Sequence, residues 1–128
     1  MRAVMEGATY ALKDSLTVLS EMGVTPTEML ACGGGSKSPL WRQMLSDMFG
    51  LKVRTALSSE GPALGVAILA GVGTGLYTDV RAACRDMLRY GDALSPDGAA
   101  SAYYARGYEV YRSLYPALRD PFARLKEL

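Results

Sequence analysis

The sequence contains no histidine and only two cysteines. That scarcity argues against a zinc site, which needs several imidazole or thiolate ligands, and no obvious catalytic cluster takes their place. Cys32 and Cys84 sit in stretches that read as a buried strand and a helix. Two lone thiols fit a reducing cytoplasm better than a disulfide framework, so a cytoplasmic location is expected. Charge of one sign is also lacking: the net charge is +1. No clustered Lys and Arg make the footprint of a nucleic-acid partner. No apolar run approaches the roughly 18 residues of a membrane span. The opening "MRAVMEGATYALKDSL" is broken by Glu6, Lys13 and Asp14, so it does not read as a signal peptide. What is present is ordinary: 128 residues, 49% hydrophobic and 21% charged, the profile of one soluble domain over 1–128 with one real core.

Residues 2 to 22 read as a helix, because Met5, Ala8, Leu12, Leu16, Leu19 and Met22 recur at helical spacing on one face. Gly23 suits its C-cap and Pro26 forbids continuation. No Ser, Asp or Asn caps its start, and Arg2 puts a cation where the helix dipole favours an anion. A frayed terminus and a start cut from a longer chain both give that pattern. "EMLAC", Glu28 to Cys32, reads as a strand buried on both faces. Ser38 then caps a helix with Pro39 at its first position, and Gly50 stops it. "LKVRT", Leu51 to Thr55, alternates as a strand with one wet face. A strand, helix, strand crossover makes the two strands parallel. "EGPALGVAILAGVG" opens a further helix, with Leu64, Ala67, Ile68 and Val72 inward and Gly71, Gly73 and Gly75 at its end. Gly65 inside it suggests a close neighbour. Residues 79 to 88 read as a short helix and "SPDG" as a turn. Tyr104, Tyr108, Tyr111 and Tyr115 stripe a helix that Pro116 kinks or ends, and "ALRDPFARLKEL" forms a last helical piece.

The informative stretch is "ACGGGSKSPLWRQML". A glycine turn that leaves a strand and opens a helix is a place for anions, because amides point outward at the helix's positive end. Gly33, Gly34 and Gly35 let a phosphate approach, Ser36 and Ser38 offer hydroxyls, and Lys37 adds a cation. A crowded corner with no ligand is the other reading. The P-loop is excluded, since Lys37-Ser38 follows Ser36 and not glycine. The dinucleotide fingerprint fails too, because Ser38 stands at its third glycine and the next strand ends at Thr55 instead of an acid. "GVGTG" at 71 to 75 follows a helix and is weaker still. Asp14, Asp47, Glu60, Asp79 and Asp86 are scattered and read as solvated. The tyrosine stripe and Trp41 read as packing surfaces before ligand contacts.

"CGGGSKSPLWRQMLSDMFGLKV" followed by "EGPALGVAILAGVGTGLY" resembles the C-terminal lobe of the FGGY carbohydrate kinases. "RAVMEG" and "YEVYRSLYPALRDPFARL" are similar to helices at either end of that lobe, so the resemblance covers nearly the whole chain. It implies an α/β, helix-rich fold: part of an actin-like, ribonuclease-H-like ATPase lobe with short parallel strands and packed helices. It implies ATP with Mg²⁺, with Gly33, Gly34, Gly35, Ser36 and Ser38 at the nucleotide. Ser38 stands where several relatives carry Asn, which reaches further. Pro62 and Gly65 would belong to the helix behind the nucleotide. The "SPLWRQML" helix and tyrosine-rich end are most like members that phosphorylate D-xylulose; glycerol, gluconate and ribulose are other family substrates. The family's catalytic aspartate, its N-terminal phosphate loop and its sugar contacts lie upstream, so this chain is expected to hold no catalytic residue. Its partners are then a nucleotide and, through the missing lobe, a sugar. A stand-alone interaction module that self-associates is the competing expectation, and a homo-oligomer is left open.

Overall fold

The computed structural model describes residues 1–57 and 61–127. Helix α1 spans Arg2–Glu21, strand β1 Glu28–Ala31, helix α2 Pro39–Phe49 and strand β2 Lys52–Ala56. Helix α3 follows at Gly61–Gly73, α4 at Val80–Met87, strand β3 at Tyr90–Leu94 and α5 at Gly98–Leu125. The expected α/β, helix-rich class is what forms. Of the acids read as solvated, Glu60 lies outside the described residues.

The sheet has the order β1-β2-β3. β1 and β2 are parallel, with Met29 opposite Val53 and Ala31 opposite Thr55. β3 runs antiparallel to β2 with an irregularity between Arg54 and Ala56. No strand was expected at Tyr90–Leu94. Gly91 and Asp92 weaken local strand propensity there, and pairing with distant β2 overrides it.

Cap chemistry sets the ends of α1 and α2. The Gly23 N–H bonds the Ser20 carbonyl at 3.0 Å and the Val24 N–H the Leu19 carbonyl at 3.0 Å. That pair of bonds is a Schellman C-cap. Ser38 Oγ accepts the Trp41 N–H, Pro39 takes the first position, and Gly50 ends α2 at φ 67°.

α2 is the shared wall of the core. Leu45 packs with Ala31 and Val53 beneath the sheet. Met44 and Met48 pack with Tyr104 of α5, against Met5 and Tyr10 of α1. Other expectations fail for lack of covering layers. β1 is not buried on both faces: Leu30 is 39% exposed and Cys32 is exposed. β1 is an edge strand here, and helices cover only the Met29 and Ala31 side. The apolar stripe of α1 is similarly open at Leu12, Leu19 and Met22. The residue that α1 does bury is Thr9, whose hydroxyl donates to the Met5 carbonyl at 2.7 Å and accepts the Trp41 indole N–H at 2.9 Å.

Gly65 has no close neighbour, since a Cβ there would meet nothing within 4 Å. The tight approach in α3 is at Gly71, where the Tyr77 ring lies 2.9 Å from an ideal Cβ. α5 is not ended at Pro116. It runs through both Pro116 and Pro121, each of which gives up one amide donor to the carbonyl four residues earlier.

The tyrosine stripe is a packing surface. Tyr10 of α1 stacks with Tyr108 at 6.0 Å between centroids and lies 5.3 Å from Tyr111. The Tyr108 hydroxyl donates to Asp14 Oδ1 at 2.5 Å, so Asp14 is bonded across the helices and not simply solvated. Burial pushes the Tyr108 and Tyr10 hydroxyls up, with the Asp14 hydrogen bond a further cause at Tyr108. The unfolded chain loses these protons first, near pH 10, while the folded chain still holds them. Stability from these groups is therefore complete below about pH 10 and is lost as pH rises through the raised values. Lys13 has the opposite sign. Burial lowers its pKa, so it gains stability with pH in the window below its ordinary 10.5. Urea unfolding across alkaline pH is expected to show the tyrosine loss, and Tyr108→Phe to flatten it. An unchanged slope in that variant would contradict the assignment.

Candidate functional site

The turn after β1 uses its three glycines for three different reasons. Gly33 sits at φ 76°, ψ −170°, a region essentially open only to glycine. Gly35 faces inward, and an ideal Cβ on it would lie 2.6 Å from Cζ3 of Trp41. Gly34 forms the crest and has nothing within 4 Å of where a Cβ would be. Gly34–Lys37 then make one 3₁₀ turn. The Ser36 N–H bonds the Gly33 carbonyl at 3.2 Å, and its hydroxyl donates to the same oxygen at 2.7 Å. Ser38 Oγ is committed to capping α2, accepting the Trp41 N–H at 3.3 Å.

Below the crest lies a cavity of about 250 Å³ lined by Gly33, Ser36, Lys37, Arg42, Thr55, Ala56 and Leu57. Its walls are the turn, the start of α2 and the end of β2. Among the described residues two cations line it and no carboxylate does. Arg42 Nε is sealed from solvent, with no hydrogen-bond partner among the described residues. Gly33, Ser36 and Lys37 of the turn are thus brought together with Arg42 and Thr55. Gly34 is exposed and does not line the cavity, Gly35 packs against Trp41, and Ser38 caps α2. Sequence reasoning missed Arg42. The available signal was its place four residues beyond the Ser38 cap, where a helical side chain leans back over the preceding turn.

Asp47 corrects an expectation. It is 6% exposed, not solvated. Oδ1 accepts from Gln43 Nε2 at 2.8 Å and from the Asp97 N–H at 2.8 Å. Gln43 also donates to the Ser95 carbonyl at 3.1 Å. These bonds tie α2 to the corner that starts α5. Asp79 caps α4 through the Ala82 N–H at 2.8 Å.

Of two further hollows, the first borders the turn itself at Gly35 and Ser36. It measures about 330 Å³, lies between α1, β1 and α2, and is apolar and walled by Leu12, Leu16, Met29, Trp41 and Phe49. A groove of about 800 Å³ between α1 and the far half of α5 is larger, but Asp14 and Glu21 line it. Those carboxylates oppose a phosphate, so size does not decide in its favour. Among the described residues no three His, Cys, Asp or Glu could hold a metal ion, and no helix is long and apolar enough to cross a membrane.

A parallel strand, a glycine turn and a capped helix follow one another here, and the comparisons give the class of the chain. The FGGY family of carbohydrate kinases, C-terminal domain, matches residues 1–74, and the chain belongs to that family. It is 32% identical over 97% of its length to a xylulose kinase of Staphylococcus epidermidis, covering 25% of that protein. It is 36% identical over 89% of its length to an autoinducer-2 kinase of Photorhabdus laumondii, covering 22%. The crystal structure of xylulose kinase from Rhodospirillum rubrum superposes with a TM-score of 0.82 at 28% identity, over 95% of this chain and 25% of that one. The chain thus spans about a quarter of the length of the curated relatives it matches.

Proposed function

We propose that this chain supplies one wall of the nucleotide site of an ATP-dependent sugar kinase, with Gly33, Gly34, Gly35 and Ser36 at the nucleotide. Ser38 serves by capping α2, which holds the turn in place. One observation carries this reading: the amides of Gly34 and Gly35 donate to no acceptor among the described residues. They sit at an open crest above a cavity lined by Lys37 and Arg42. Unpaired amides at the start of a helix favour negative charge. The described residues around the turn do not fit a Mg²⁺ site, since none of them is a carboxylate. No step is therefore assigned to the ion here.

The sugar of the intact enzyme is proposed to be D-xylulose, phosphorylated at its C5 hydroxyl. Likeness to xylulose kinase over 97% of this chain supports it, while likeness to an autoinducer-2 kinase supports a different substrate. Phosphoryl transfer also needs a positioned nucleophile and charge stabilisation at the γ-phosphate. No described residue here is proposed as the base. The purified chain is therefore expected to bind ADP saturably in titration calorimetry and to show no ATP turnover with D-xylulose. A complete kinase ending in this sequence is expected to consume ATP faster with D-xylulose than with gluconate or glycerol. The reverse order would overturn the sugar and leave the family; absent ADP binding would overturn the nucleotide role.

A further inference from the structure

We infer that the far half of α5 is a self-association surface, on which the same helix of a second copy of this chain lies antiparallel with its end in the groove between α1 and α5. This goes beyond the nucleotide reading and does not depend on it. α5 lies past residues 1–74, the part matched by the family model, so family membership does not account for its surface. Every residue from Arg112 to Glu127 is exposed, although the helix continues to Leu125. A helical stretch this short is marginal in water by itself, and Pro116 and Pro121 each remove a backbone bond from it. Something outside the single chain is needed to hold it.

The pattern of its side chains says what kind of partner fits. Tyr111, Leu114, Leu118, Pro121 and Leu125 are spaced 3, 4, 3 and 4 apart, the seam of one helix lying along another. Tyr115 and Phe122 widen that seam on one side, while Arg112, Arg119 and Asp120 fall on the opposite face. Leu114, Tyr115, Leu118, Phe122 and Leu125 are all exposed. Across a pair of copies these side chains remove about 1,000 Å² from water, at roughly 100 Å² each, which is where specific interfaces begin. Charge fixes the direction. The groove carries Asp14 and Glu21 against Arg112 alone. The end of α5 carries Arg119, Arg124 and Lys126 against Asp120 and Glu127. A net positive end therefore meets a net negative groove, and a two-fold axis makes the same match twice. The other side of α1, with Leu12, Leu16 and Leu19, walls the separate hollow beside β1. That side adjoins the open sheet edge, where further strands pair, and it leaves the α5 groove to the second copy.

Sedimentation equilibrium of the purified chain at rising concentration is the test. A monomer–dimer equilibrium is expected, weakening as salt is raised. Leu118→Glu is expected to weaken it about 30-fold or more, the effect of losing a central interface residue. Leu118 is 41% exposed in the single chain, so the near-ultraviolet dichroism of the Tyr10 and Tyr108 cluster is expected to persist in that variant. Glu21→Lys is expected to weaken the dimer about 10-fold, and adding Arg124→Glu and Lys126→Glu to the same chain to restore it. Leu30→Ser, on the open face of β1, is expected to leave association unchanged. A chain that stays monomeric throughout overturns the proposal. So does an assembly that Leu30→Ser breaks and Leu118→Glu does not, since the sheet edge would then be the interface. A dimer indifferent to Glu21→Lys and to salt would overturn the seating of the α5 end in the groove. ADP titration of the Leu118→Glu monomer keeps the two readings apart: its affinity is expected to be unchanged, because Leu118 does not border the glycine turn.

Discussion

Gly34→Asp is expected to abolish ADP binding without lowering the melting temperature, whereas Gly35→Ala is expected to lower the melting temperature first. The two glycines are neighbours, yet their surroundings are opposite. Around Gly34 there is open space and no positive φ, so a side chain there meets neither a clash nor a strained backbone. An aspartate on the crest places a full negative charge about 4 Å from a bound phosphate. At the effective dielectric of a protein surface that repulsion is about 2–4 kcal/mol, or about 30- to 1,000-fold in affinity. Gly35 faces the Trp41 ring at 2.6 Å from an ideal Cβ. The indole cannot step aside cheaply, because its N–H is held by Thr9 at 2.9 Å and it packs against both core clusters. Forced overpacking of this kind costs about 1–3 kcal/mol. Calorimetry with ADP and thermal unfolding on both variants separate the effects. Undiminished ADP binding by Gly34→Asp would remove the crest from the nucleotide site, and a large loss of stability there would mean that the crest is packed, not open.

That contrast also marks what a single sequence can tell. Ser38, Pro39 and Gly50 announced the ends of α2 because capping is local chemistry, settled within a few residues. The parallel β1–β2 pair followed from the strand, helix, strand order. The glycine turn was legible as a place, while the division of labour within it was not. Gly33 answers to its own dihedral angles, Gly35 to a ring six residues on, and Gly34 to nothing in the chain. Long-range partners hid the rest. β3 exists because β2 offers an edge. Asp47 is buried because the Asp97 N–H and the Gln43 amide come to it. The apolar stripe of α1 is correctly periodic, yet Thr9, one step off it, is the buried residue, because the Trp41 indole needs an acceptor. Arg42 went unread because an exposed helical arginine and one half-buried beside a cavity are spelled alike.

Met48→Ala is expected to cost about 2–5 kcal/mol, the range for truncating a fully buried methionine, and to loosen the nucleotide turn as a consequence. Met48 is 1% exposed and packs with Met44 and Tyr104 between α2, α1 and α5. The Lys13 ammonium also donates to the Met48 carbonyl, so the same residue carries a polar tie between α1 and the end of α2. Domains of this size are stable by about 5–15 kcal/mol, so one truncation removes a large share. A drop of about 10 °C or more in the melting temperature is expected. Met48→Leu, which keeps the volume, is expected to cost less than about 1.5 kcal/mol. Leu30→Ser on the open face of β1 is expected to cost little, since Leu30 is already 39% exposed. The consequence for the turn follows from α2 being the wall of both clusters, with Leu45 on the sheet side and Met44 and Met48 on the helix side. A helix unseated on one side carries its own N-terminus with it, and that N-terminus bears Ser38, Trp41 and Arg42. Hydrogen exchange should therefore quicken at the Ser36 and Ser38 amides in Met48→Ala as well as near residue 48. Faster exchange confined to the neighbourhood of Met48 would show that the turn is held independently of the core beneath it.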